Sequence, residues 1–171
     1  MAANTLRSCG ETLRGDSGFT LIELIVVVVV MGVLLSIGTI NFRQYRVKSE
    51  IEKQTREMYA DINSARINSI HTKKRHALIL NTNSYILKNY TTNEPTSAGN
   101  TLASKAVANQ ITTRTGAPYS GKMVLFDITG FTNDETTLAV NPLDSGASQN
   151  CIVVSASRTN MGRMSSGNCL F

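Results

Sequence analysis

Residues 19–40 read FTLIELIVVVVVMGVLLSIGTI, an apolar run whose one charged residue is Glu23. At about 1.5 Å per residue a helix over this run reaches about 33 Å, enough to cross the hydrocarbon core of a bilayer. Val26–Val30 is β-branched and forms helix poorly in water. In lipid the backbone has no water to bond, and a helix becomes the solution open to a single segment. A cleaved secretory signal does not fit: the run is too long, no small-residue cleavage site follows it, and charged residues continue directly. A plain anchor accounts for everything except Glu23. A carboxylate inside a spanning helix is costly and marks a functional position. The helix N-terminus lowers that cost without removing it. An amine would neutralise the carboxylate. Cutting the chain between Gly18 and Phe19 would create one four residues away, free to pair with Glu23 of a neighbouring subunit.

Outside this block the 171-residue chain is rich in Ser, Thr, Asn and Gly, with 42% hydrophobic residues overall. That is one domain's worth of chain beside one spanning segment. Apolar runs recur to the C-terminus, which excludes a disordered tail. The net charge is +5. In residues 1–18, Arg7 and Arg14 balance Glu11 and Asp16, so the excess lies in 19–171. An excess of this size permits anionic partners without requiring them.

The stretch Gly18-Phe19-Thr20-Leu21-Ile22-Glu23-Leu24 resembles the processing signal of type IV prepilins and pseudopilins: glycine, an aromatic, T-L-x-E, then a long apolar run. The resemblance implies that a prepilin peptidase cuts after Gly18, removing 1–18 and Cys9 with it. It implies N-methylation of Phe19. It also implies that Glu23 pairs with a neighbour's terminal amine during assembly. Major pilins usually carry a proline in the middle of this helix. Here the first proline is Pro95, and Gly32 and Gly38 are the flexible points, which points toward minor pilins and pseudopilins. Arg7 and Arg14 on one flank face Arg43, Arg46 and Lys48 on the other, so the charge rule alone does not orient the segment. The resemblance does, with the N-terminus inside.

After the block the period turns amphipathic. Ile51, Thr55, Met58, Ile62, Ala65 and Ser69 recur at spacings of four and three, one face of a helix. Glu52 and Arg56 form an i,i+4 pair in the favoured order. One helix is expected over 19–72, its first half in the membrane or filament core, its second half laid on a globular domain. The run His71-Thr72-Lys73-Lys74-Arg75-His76 ends it. Basic residues suit a helix C-terminus. A DNA-contacting patch is the sharper reading. The two histidines come with no further metal ligands.

From His76 the period is two. His76–Leu80 and Tyr85–Tyr90 read as strands around an Asn81–Ser84 turn, a hairpin. Residues 91–121 read as a long loop with short extended pieces. Lys122–Phe126, Thr137–Val140, Cys151–Ala156 and 158–164 read as short strands. The fold class is α+β: a long N-terminal helix, transmembrane in its first half, packed on a small antiparallel β-sheet domain. The expected segments are a leader (1–18), an assembly helix (19–40), its amphipathic continuation (41–72) and a β-rich domain (73–171).

Ser64-Ala65-Arg66-Ile67-Asn68-Ser69-Ile70, Phe126-Asp127-x-x-Gly130 and Gly162-Arg163 resemble minor pilins of the GspH/FimT group. Some of these bind DNA through arginines after a G-R motif, a role that would fall on Arg158 and Arg163, with Lys73, Lys74 and Arg75 as further contacts. Only one arginine follows Gly162, where the DNA-binding pattern has two, and a solvated strand face is the other reading. Cys151 and Cys169 would lie outside the membrane in an oxidising compartment, as a disulfide or as two free thiols. A bridge would contribute about 3 kcal/mol by loop-entropy reasoning.

No nucleophile–base pair, metal-ligand set or phosphate loop appears, so neither an enzyme nor a cofactor is expected. The expected protein is a minor pilin or pseudopilin of a type IV pilus or type II secretion pseudopilus. The alternative is a DNA-binding minor pilin of an uptake pilus. Its partners would be other pilin subunits, the prepilin peptidase and the inner-membrane assembly platform. It would cross the inner membrane once, with the C-terminal domain periplasmic.

Overall fold

The computed structural model describes residues 18–91 and 98–171, with the side chains of 37–41 outside the description. The expected leader up to Ser17, Cys9 included, lies outside the described residues, as do the side chain of Ile40 and residues 92–97 of the 91–121 stretch.

Helix α1 spans Leu21–Thr72. Among the described residues nine strands follow: β1 (Arg75–Asn81), β2 (Ser84–Tyr90), β3 (Asn100–Ala106), β4 (Ile111–Thr112), β5 (Ser120–Phe126), β6 (Thr136–Val140), β7 (Cys151–Val154), β8 (Thr159–Ser165) and β9 (Asn168–Leu170). They form two sheets rather than one, in the orders β3-β2-β1-β5 and β4-β6-β7-β8-β9. Every strand pairing is antiparallel. The chain divides into two compact units, Met1–Ile40 and Asn41–Phe171.

In the second unit the apolar stripe of α1 is the organising element. Ile51, Met58, Ile62 and Ala65 are buried against Leu78, Leu80 and Tyr85 of one sheet and Leu138, Val140, Ile152 and Val154 of the other. Each such aliphatic side chain contributes about 1.5–3 kcal/mol when fully buried. Thr55 and Ser69 share the stripe because their hydroxyls turn back to helix carbonyls, Thr55 Oγ1 to Ile51 at 2.8 Å and Ser69 Oγ to Arg66 at 2.7 Å. A buried hydroxyl bonded in this way carries no unmet donor. Gln54 is also buried, and its amide clasps one peptide unit. Its Nε2 donates to the Asn109 carbonyl at 2.7 Å, and the Asn109 N–H donates to its Oε1 at 2.9 Å. That pins the β3–β4 connection to the helix.

Two departures from the sequence pattern have physical causes. Strand β3, seven residues long, falls inside the stretch expected to be a long loop with only short extended pieces. It lies at a sheet edge, and all but one of its side chains are exposed, so no apolar alternation marks it. Main-chain bonds to β2 make it a strand. Strand β9 was not expected at all. The Ser166–Gly167 turn, with both residues at positive φ, folds it back on β8. That geometry belongs to two-residue hairpins, and the Ser-Gly pair is the local signal for it.

Candidate functional site

At the head of α1, Gly18, Phe19 and Thr20 precede the first helical turn, and all three are exposed. Thr20 caps the helix: its Oγ1 accepts the N–H of Glu23 at 3.3 Å, and its carbonyl accepts the N–H of Leu24 at 3.2 Å. Thr-x-x-Glu at a helix start is the sequence of a capping box. Glu23 therefore occupies the third position of the first turn, the one acidic residue there, where the exposed N–H groups favour negative charge. In the sequence Glu23 stands as a costly charge in lipid, eased by the helix N-terminus and open to a neighbour's amine, while Thr20 stands in the motif without being read as a cap. The T-x-x-E spacing was the signal that could have found it.

From Phe19 to Leu35 the large apolar side chains are exposed on every face, Phe19 to 84%. A helix apolar all round belongs in lipid or in the centre of an assembly. Among the described residues no helix is long and apolar enough to cross a membrane. The described stretch Leu21–Ser36 extends about 24 Å, short of the roughly 30 Å core.

The cations proposed for DNA contact are all at least partly exposed. Lys73, Lys74, Arg158 and Arg163 are exposed and Arg75 is half-buried. Lys73 ends the helix in a left-handed conformation, φ 53°. Arg75 lines an opening shared with Asp127 and Asp134. Arg158 precedes β8 while Arg163 sits about 16 Å farther along that strand, paired with Leu170 of β9. His76 is buried with Nδ1 on the Lys74 carbonyl at 3.0 Å, whereas His71 is exposed in the last helical turn. The two do not share an environment.

Cys151 and Cys169 form a disulfide, tying β7 to β9. Gly162 stands opposite Cys151 on β8. A Cβ there would lie 2.0 Å from the Leu170 carbonyl oxygen and 2.7 Å from its carbon. The glycine of the Gly162-Arg163 pair therefore lets β9 fold against β8.

The other two motifs meet at Arg66, which is 8% exposed. Its Nη1 donates to the carbonyls of Gly130 at 2.8 Å and Ala156 at 2.9 Å. Its Nη2 reaches those of Ser155 at 2.9 Å and Arg158 at 3.3 Å. The guanidinium lies 4.8 Å from the centre of the Phe126 ring, a cation–π contact. Burial lowers its pKa from the usual arginine value, yet a guanidinium in a protein stays charged. Asp127 shapes the adjoining turn: its Oδ1 accepts the N–H groups of Thr129 at 2.8 Å and Phe131 at 2.9 Å and the Thr129 hydroxyl at 2.6 Å. Burial raises the Asp127 pKa, but these bonds from Thr129 and Phe131, with one from Gly130, outweigh it and hold the carboxyl below its ordinary value. Gly130 has φ +83°, and a Cβ on it would meet Ile70 Cδ1 at 2.7 Å. Arg66 is thus an internal anchor joining the helix to two loops, a role its sequence position does not announce.

Residues 13–39 match the model of the prokaryotic N-terminal methylation motif, the signature of type IV pilins and pseudopilins. The match covers the residues just before Phe19 and the apolar run, a small part of the 171-residue chain, and it supports a type IV pilin-like protein processed by prepilin peptidase. No curated protein and no solved structure matches the chain.

Proposed function

We propose that this chain is a minor pilin or pseudopilin subunit whose leader is removed between Gly18 and Phe19 and whose new N-terminus is methylated. Before assembly it sits in the inner membrane through residues 19–40, with 41–171 in the periplasm. It then leaves the bilayer for a type IV pilus or type II secretion pseudopilus, drawn by the assembly platform. The observation that carries this reading is the methylation motif at 13–39 falling on a helix whose apolar side chains are uncovered on all sides. Such a helix needs lipid first and neighbouring helices afterwards. Glu23 supplies the difference between the two states, because its carboxylate meets the Phe19 amine of a neighbour only in the filament. The three short motifs at 64–70, 126–130 and 162–163 support a minor pilin of the GspH/FimT type.

The test is Glu23→Ala in cells that assemble the filament. Leader removal should proceed, while incorporation into sheared filaments should fall by tenfold or more, about the effect of losing 1.4 kcal/mol or more per contact. Normal incorporation would sink the pairing mechanism.

DNA capture through Lys73, Lys74, Arg75, Arg158 and Arg163 is a separate proposal, and the resemblance at Gly162-Arg163 is what supports it. Neutralising Lys73–Arg75 and Arg163 should reduce both DNA affinity and its salt slope if the role exists. An unchanged slope removes it.

A further inference from the structure

A cleft of about 460 Å³ opens beside α1 in the 41–171 unit. Arg43, Gln44 and Val47 of the helix line one side, and Asp144, Ser145 and Gly146 of the β6–β7 connection line the other. The connection is held to the helix just beyond the cleft. The Ser148 N–H donates to Glu52 Oε1 at 2.8 Å, Arg56 Nε donates to Gln149 Oε1 at 2.9 Å, and Ala147 is buried in the core. Gly146 has φ +71° and open space where a Cβ would stand, so the lip there is bare backbone. Arg43 and Asp144 are exposed and share this cleft. Neither makes an ion pair among the described residues, although Arg46 and Arg56 on the same helix both do.

The place of Arg43 in the chain decides what meets the cleft. Arg43 is the third residue after the apolar run 19–40, at most about 11 Å of chain from its end. The headgroup layer of a bilayer is about 5–7 Å deep on each side of the hydrocarbon, and the arginine stem adds reach of its own. Tyr45 is 68% exposed two residues on. Tyrosine collects at headgroup level because one end of its ring is apolar and the other is wet.

We propose that this cleft binds the headgroup of a phosphatidylethanolamine lipid, with the phosphate on Arg43 and the primary ammonium on Asp144. A purely anionic headgroup would satisfy Arg43 and leave Asp144 facing like charge. A choline headgroup has a quaternary ammonium with no N–H to donate. Such a group is held by aromatic faces, and no aromatic ring lines the cleft. Ethanolamine carries N–H donors beside its phosphate and matches both charges. Gln44 offers an amide to the phosphate oxygens. The inference rests on the membrane stage of the subunit reading and deepens it by naming the lipid.

The test uses the full chain, purified from membranes in mild detergent. It is offered an equal mixture of phosphatidylethanolamine, phosphatidylglycerol and phosphatidylcholine with identical acyl chains, and native mass spectrometry counts the lipid retained. The ethanolamine lipid should be retained about fivefold over each of the others, the upper range for an exposed ion pair. Asp144→Asn should erase the preference over the choline lipid, and Asp144→Lys should shift it to the glycerol lipid. Arg43→Gln should lower retention of all three, because they share the phosphate. Preserved pairing of Cys151 with Cys169 shows that the variants are folded. Equal retention of the three lipids, a preference for the glycerol lipid, or a preference that Asp144→Asn leaves unchanged would overturn the proposal. Partition of the chain into the membrane fraction of the cells is scored in parallel. A membrane-bound chain without the lipid preference refutes this inference alone. A chain absent from the membrane fraction refutes the anchoring, and the inference with it.

Discussion

Arg66 Nη1 donates to the carbonyl oxygen of Gly130 at 2.8 Å, joining the last turns of α1 to a loop 64 positions away in the chain. The same guanidinium holds the β7–β8 turn through Ala156 and Ser155. Replacing Arg66 with Met keeps most of the volume and removes every donor. The buried carbonyls then lack partners, and the cost should be about 3–5 kcal/mol, as for other broken buried charge networks. Lys should rescue only part of this, since one ammonium cannot reach carbonyls on two loops. Denaturant unfolding of the three proteins checks the order wild type, Lys, Met.

Gly162→Ala should act through β9. Its methyl would collide with the Leu170 backbone, not with a movable side-chain end. The β7–β8 pairing can survive while β9 lifts away, at a cost of about 1–3 kcal/mol for overpacking. Hydrogen exchange should then quicken at Asn168–Leu170 and stay slow at Ile152 and Val153. Uniformly faster exchange across β7 would show that the glycine supports the whole sheet instead.

The disulfide between Cys151 and Cys169 closes over the same hairpin, with a sequence separation of 18. Replacing both cysteines with serine should lower stability by about 3 kcal/mol on the loop-entropy model. Wild-type protein should lose the mass of two hydrogens relative to its reduced form. Free thiols in the mature protein would contradict the bridge.

Asp127 gives a pH dependence of known sign. Its folded-state pKa lies below its unfolded value, which is about 3.9 for an ordinary Asp. The carboxylate therefore contributes stability that is fully present above about pH 4 and is lost as the pH falls through the depressed folded pKa. Asp127→Asn retains an acceptor oxygen but cannot titrate, so its unfolding should lack this acid-side component. Identical acid profiles for the two proteins would assign the loss to other carboxylates.

The helical stripe and the first hairpin were legible because burial imposes a period. Ile51, Thr55, Met58, Ile62, Ala65 and Ser69 are all buried, and β1 pairs with β2 around the Thr82–Asn83 turn. Strand β3 was illegible because an edge strand exposed on both faces has no period to read. Arg66 was quoted as part of a motif, yet nothing nearby in sequence discloses its use. Its partners lie 64 to 93 positions away. At the head of α1 the pattern was specific enough to read the motif from the seven residues Gly18–Leu24, because a glycine, an aromatic and a carboxylate at fixed offsets must all abut an apolar helix. The anchoring segment is legible for the same reason that its fate in a filament is not: the sequence states what must be covered, and the covering groups belong to other molecules.

The most direct measurement of the central claim is the N-terminus of the chain recovered from cells with an active prepilin peptidase, read by intact-mass and peptide mass spectrometry. The account predicts a chain that begins at Phe19, carries one methyl group on that amine and reverts to the full-length form when the peptidase is removed. A chain that still begins upstream of Phe19 in the presence of active peptidase would contradict it.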